Sequence, residues 1–207
     1  MLNRGAVSIF VILLLVVPVF SRSIALQEPS EGASSFSQEK LLGIMILYDS
    51  SNEVIATSAN RVYFMIRSAY PNASIDGVSS IGDLASSLLK DYDIFILMFN
   101  STPSGVIVAT EVLPWDSLCQ TLDIAPDSEI ILLTGNTYKL DTVRRETLHY
   151  PQIEYDSIMA LETYALWETS QILKRKSGQY HDAADKLMEI AVSYFLEKSE
   201  VFANSEK

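Results

Sequence analysis

Asp93-Ile94-Phe95-Ile96-Leu97-Met98-Phe99-Asn100-Ser101-Thr102-Pro103-Ser104-Gly105 and, one helix later, Pro126-Asp127-Ser128-Glu129-Ile130-Ile131-Leu132-Leu133-Thr134-Gly135-Asn136-Thr137 are the stretches that decide the fold. Each holds an unbroken apolar run entered by polar, turn-forming residues. That is how a strand reads when both faces of its sheet are covered. In such sheets ligand sites lie at the carboxyl ends of the strands, which directs attention to Asn100–Gly105 and Thr134–Thr137.

Working outward, Leu41–Tyr48 is a further apolar strand, and Asp49-Ser50-Ser51-Asn52 ends it with side chains suited to capping a helix. The helix is predicted over Glu53–Tyr70, with Val54, Ala59, Val62, Met65, Ile66 and Ala69 on one stripe, and Pro71-Asn72 stops it. A strand at Ala73–Val78 and a helix at Ile81–Lys90 lead into Ile94–Phe99. Gly105–Ala109 and Glu111–Leu113 read as a small hairpin, and Pro114 opens a helix at Trp115–Leu122 ahead of the strand Glu129–Thr134. Strands alternating with helices at this spacing imply an α/β fold: a mainly parallel sheet with flanking helices, built as a three-layer sandwich.

Beyond Leu140 the pattern changes. Ile153–Arg175 and Tyr180–Phe202 read as two long helices joined at Ser177-Gly178, a C-terminal α-helical hairpin. Gly178, Tyr180, Ala183, Leu187 and Met188 fall as at the second-helix start of a tetratricopeptide repeat. One such unit cannot bury its own faces, so the hairpin is expected to pack on the sheet.

Arg4 precedes an uncharged run from Gly5 to Phe20 followed by Ser23-Ile24-Ala25, the pattern of an export signal cleaved after Ala25. At 1.5 Å per residue the run reaches about 24 Å, short of a hydrocarbon core of roughly 30 Å, which favours cleavage over an uncleaved anchor. The expected organisation is therefore a signal peptide or N-terminal anchor at 1–25, a flexible spacer at 26–40, an α/β domain at 41–140 and the hairpin at 141–207. The body of the protein is expected to be extracytoplasmic, secreted or held by the N-terminal segment.

A net charge of −11 argues against nucleic acid, because phosphate binding requires clustered Lys and Arg. The only basic knot, Lys174-Arg175-Lys176, suits the last turn of a helix. A single cysteine, Cys119, rules out an intramolecular disulfide. Asn72-Ala73-Ser74 and Asn100-Ser101-Thr102 are candidate glycosylation sites.

The order of features from Asn72 to Tyr138 resembles the caspase-like fold of cysteine peptidases, most closely the legumain and glycosylphosphatidylinositol-transamidase branch. In that family one strand ends in His-Gly, a glycine-led hairpin and a helix follow, and a second strand ends in the nucleophilic cysteine. The resemblance places the histidine at Ser101 and the cysteine at Asn136, so neither dyad residue is present. A serine hydroxyl and an amide cannot keep a sulfur ionised or protonate a leaving amine. What the resemblance implies is an inactive relative.

The first strand–helix turn also resembles flavodoxin-like domains. Ser50, Ser51 and Asn52 are candidate ligand-binding residues there, and Asn100, Ser101 and Thr137 at the later strand ends. An ordinary helix cap accounts for the first three more simply, Asp49 would repel a phosphate, and no glycine opens the backbone. His181, Asp185 and Glu189 share a helical face, but Asp182 and Lys186 beside them mark a solvated one, and no metal is implied. His149 has no partner recognisable in the sequence. Cys119, among Leu118 and Leu122, reads as a small core residue.

Tyr150, Tyr155, Tyr164, Trp167, Tyr180, Tyr194, Phe195 and Phe202 crowd the C-terminal region, and Tyr164, Trp167 and Tyr194 are the candidate interface. The sequence thus points to a non-catalytic accessory or interaction subunit of a membrane or envelope assembly. It implies a protein partner, no cofactor, and membrane contact through residues 1–25 if they are retained. The alternatives are an active peptidase of the same class with an unrecognised nucleophile, and a flavodoxin-like ligand-binding domain.

Overall fold

The computed structural model describes residues 41–140, 145–151 and 158–205; the N-terminal segment, the spacer and Tyr155 lie outside them. Five strands form one parallel sheet: β1 (Ile44–Asp49), β2 (Ala73–Val78), β3 (Ile94–Met98), β7 (Glu129–Leu133) and β8 (Leu148–His149). Their spatial order is β2-β1-β3-β7-β8. This is the doubly wound order in which the chain switches direction across the sheet between β1 and β3. The sheet continues past residue 140, since β8 pairs with β7 through Ile130 opposite Leu148 and Ile131 opposite His149.

Alternation along the three central strands sends side chains to both faces, and each face has its own core. On one face Ile44, Ile46, Ile94, Ile96, Met98, Ile131 and Leu133 meet α1 (Glu53–Ala69), α4 (Ile158–Lys176) and α5 (His181–Ser205). On the other, Met45, Leu47, Phe95, Leu97, Phe99, Ile130 and Leu132 meet α2 (Ile81–Leu88) and α3 (Trp115–Leu122). The result is a three-layer α/β sandwich, with the C-terminal helical pair part of one covering layer.

A second, three-stranded antiparallel sheet, β4 (Asn100–Thr102), β5 (Gly105–Val108) and β6 (Glu111–Pro114), stands between β3 and α3. The hairpin expected from sequence is β5–β6, and β4 extends it. Ala109 turns it at φ 56°. Gly105 sits where β5 and β6 touch, and a β-carbon there would run into the Leu113 carbonyl.

Element ends follow local hydrogen bonding. The first strand starts at Ile44 rather than Leu41, because Gly43 is bound by Asp93, whose Oδ2 accepts its N–H at 2.7 Å. The helix expected to end at Tyr70 ends at Ala69, with Tyr70 as its cap and its hydroxyl donating to the Leu42 carbonyl at 2.7 Å.

Helix α4 buries Glu162, Thr163, Glu168, Thr169 and Ser170 beside Ala165, Leu166, Ile172 and Leu173. Its polar residues are inside because it lies against the sheet with α1 and α5 also packed on it. Ser170 Oγ donates to the Ala184 carbonyl of α5 at 2.7 Å. Glu162 is fully buried and accepts Arg61 Nε and Nη2 from α1 at 3.0 and 2.7 Å, and the Tyr194 hydroxyl from α5. One carboxylate therefore ties three helices together. Burial first, and then the bond to Glu162, pushes the Tyr194 phenol up to about 12.

Removing the partner of a buried carboxylate leaves its charge without compensation. Arg61→Ala should cost about 3 kcal/mol of unfolding free energy, and only about 1 kcal/mol in a Glu162→Gln background, where no charge remains to be orphaned. Urea unfolding of the four proteins of this cycle measures the difference; equal costs in both backgrounds would show that the pair contributes nothing beyond packing.

Candidate functional site

The carboxyl ends of β1, β3 and β7 lie side by side in the sheet. The chain leaves each in a loop containing residues singled out from the sequence. The β3 and β7 ends meet directly: Asn136 Nδ2 donates to Ser101 Oγ at 3.1 Å. These are the two positions where the caspase-like resemblance places the histidine and the cysteine. Ser101 belongs to β4, fixed by pairing with Val106 across the small sheet. Asn136 adopts φ 54°, a left-handed conformation that asparagine tolerates better than most residues. That conformation turns the chain after Gly135, whose Cα lies so close to Ser101 that an added β-carbon would sit 3.3 Å from its Oγ.

Thr134, immediately before, is 3% exposed, and its hydroxyl has no hydrogen-bond partner among the described residues. Thr137 does not reach the same space: it is buried and donates to the Pro151 carbonyl at 2.6 Å, an internal tether between the β7 loop and the chain after β8. Asn100 is exposed, with its backbone paired to Ile107. Of the three candidates at these ends, only Ser101 takes part in the contact between strands.

The turn after β1 is occupied by its own bonds. Asp49, 2% exposed, accepts Ser51 N–H at 2.9 Å and Ser51 Oγ–H at 2.6 Å. Asn52 Oδ1 caps α1 by accepting the amides of Val54 and Ile55 at 3.0 and 3.1 Å. Ser50 Oγ donates to the Val78 carbonyl at 2.9 Å. The amides that a phosphate would need at this helix start already face a buried carboxylate and a capping amide.

Cys119 lies on α3, half-buried against the second core. Burial, then the charges of Asp116 and Asp123, pushes its thiol up, so it stays protonated at neutral pH. It is far in sequence from either imidazole, and His149 is engaged elsewhere. The sequence shows no partner for that histidine, but folding gives it two: Nε2 lies 2.8 Å from Glu129 Oε2 and Nδ1 3.1 Å from Glu168 Oε1. No spacing signal links residues 129, 149 and 168, because sheet pairing and helix docking create the cluster. His181, Asp185 and Glu189 are exposed, and Asp185 pairs with Lys174 at 2.7 Å.

Among the candidate interface residues, Tyr164 and Trp167 form a half-buried ring pair with centroids 5.9 Å apart on α4. The Tyr194 ring lines a shallow groove with Met65 and Ile190 between α1 and α5, while its hydroxyl is held by Glu162. Of the two sequons, Asn72 uses its side-chain amide on the Leu42 carbonyl at 2.7 Å, and Asn100 is exposed. Among the described residues no helix is long and apolar enough to cross a membrane.

No family model and no curated protein matches the chain. Among solved structures it is similar to an azoreductase from Bacillus anthracis str. Sterne, at 10% identity and a TM-score of 0.33, over 72% of this chain and 100% of that one.

A buried hydroxyl without a partner loses the bonds it made in water and gains none. Thr134→Val, which keeps the shape and removes the hydroxyl, should leave stability unchanged or raise it by up to about 1 kcal/mol. A loss of more than that in urea unfolding would mean that the hydroxyl has a partner in solution.

Proposed function

We propose that this chain is a catalytically silent relative of the caspase-like cysteine peptidases that acts by binding protein outside the cytoplasm, as an accessory subunit of a membrane or envelope assembly. The observation that carries this reading is the Ser101–Asn136 contact. Two positions assigned by resemblance to a dyad, 35 residues apart in sequence, stand 3.1 Å apart at neighbouring strand ends. A thiol and an imidazole would need that proximity, and the residues at these two positions are neither.

The active-peptidase alternative has less support, since the one cysteine is held protonated by burial on a crossover helix. The flavodoxin-like alternative would need free amides after β1, and Ser51, Val54 and Ile55 donate theirs to Asp49 and Asn52. An interaction role draws support from the half-buried Tyr164–Trp167 pair and from Phe64 and Leu196, which are 65% and 53% exposed. Extracytoplasmic placement rests on the sequence of residues 1–25 alone.

Restoring the dyad tests the reading. With Cys119→Ser to remove the native thiol, Asn136→Cys gives one thiol at the β7 end, and Ser101→His adds an imidazole beside it. An imidazolium neighbour lowers a thiol's pKa, so the protein carrying both changes should react with iodoacetamide at pH 6 at least about tenfold faster than the one with Asn136→Cys alone. The unaltered chain should not be labelled by an electrophilic peptide. Equal alkylation rates would sever the link to the peptidase dyad, and labelling of the unaltered chain would make it an enzyme.

A further inference from the structure

His149 is bracketed by acceptors. Its ring lies on β8 between Glu129, at the start of β7, and Glu168, in the middle of α4, with one nitrogen toward each. Both carboxylates are nearly buried, with side-chain exposures of 13% and 7%. Lys176 also reaches Glu129, at 3.1 Å, and Arg175 reaches Glu168, at 3.5 Å. Among the described residues these are the charged groups around the ring. Arg145, earlier on the same segment, is turned away onto the Leu122 and Ala125 carbonyls at 2.7 and 2.5 Å.

Ionised carboxylates only accept, and a neutral imidazole carries one N–H, so it can satisfy one of the two while its other nitrogen faces a second acceptor. Only the imidazolium donates to both. Lys176 lies against Glu129 and Arg175 against Glu168, and neither replaces the missing donor from the ring.

We propose that His149 is a pH-sensitive latch that fastens the edge strand β8 to α4 when protonated and releases it when neutral. Strand β8 has two residues and so a short ladder to β7; Arg145 anchors the chain before it and the Thr137–Pro151 bond the chain after it, and the latch adds the attachment at the strand itself. Release uncovers the outer edge of β7, a row of backbone donors and acceptors able to accept another strand.

The direction of the dependence follows from the ring's surroundings. Burial alone lowers the imidazole's pKa, but the bonds to Glu168 and Glu129 outweigh it and hold it above its ordinary value near 6.5. The latch's contribution is therefore fully present below the unfolded-state value and is lost as pH rises through the raised one. Glu129 behaves oppositely: burial raises its pKa, but the bonds from His149 and Lys176 lower it overall, so its contribution fails only in acid.

Amide hydrogen exchange of Thr147–Tyr150 in the full chain, expressed as protection relative to intrinsic rates, tests the latch at pH 6 and pH 9. Protection should fall by about tenfold or more between the two, the factor one lost charged hydrogen bond supplies. His149→Gln should flatten the dependence at the low level. Glu168→Gln should flatten it at the high level, because a carboxamide can donate to a neutral ring and accept from a charged one, and the same change should lower the His149 pKa read from its ring nitrogen shifts. Unchanged protection in the parent chain, a surviving pH dependence in His149→Gln, or loss at pH 9 in Glu168→Gln would each overturn the latch.

Discussion

A parallel sheet whose central strands are apolar on both faces has to be covered twice, and most of this structure follows from that requirement. Helices α2 and α3 cover one face on their way between strands. On the other face the crossover helix α1 leaves Ile131 and Leu133 without cover of their own, and α4 supplies it. Because α4 is itself enclosed by α1 and α5, it must satisfy polar groups in a dry environment, and it does so with Glu162, Thr169 and Ser170. The C-terminal hairpin is thus part of the core before it is anything else.

The same sheet places the loops. Adjacent parallel strands deliver their carboxyl ends to one side, so the β3 and β7 loops meet whatever residues they carry. Here they carry a serine and an asparagine bonded to one another, a buried threonine whose hydroxyl has no partner among the described residues, and a left-handed turn. The arrangement is held by the Ser101–Asn136 bond, and the side chains that meet there are a hydroxyl and a carboxamide. The turn after β1 is similarly closed on itself, with a buried aspartate taking the donors that a ligand would need.

At the opposite end of β7, Glu129, His149 and Glu168 meet through three separate elements. There a short edge strand depends on side chains for what its backbone ladder is too short to provide.

Apolar runs of strand length alternating with striped helices determined the architecture from the sequence alone, because burial on one or two faces leaves a periodicity in the chain itself. The central strands, the small hairpin after Gly105 and the two C-terminal helices were legible for that reason, as was a helix cap within Asp49-Ser50-Ser51-Asn52. The strand β8 was not, since two residues carry no periodicity. Nor were the partners of Glu162, 101 and 32 residues away along the chain, or Glu129, 20 residues from His149. Whether Ser51 and Asn52 faced a ligand or their own backbone, and whether Tyr194 faced solvent or a buried carboxylate, was decided only by tertiary structure. A side chain's type states which bonds it can make, and only the packing of distant segments states which partner is within reach.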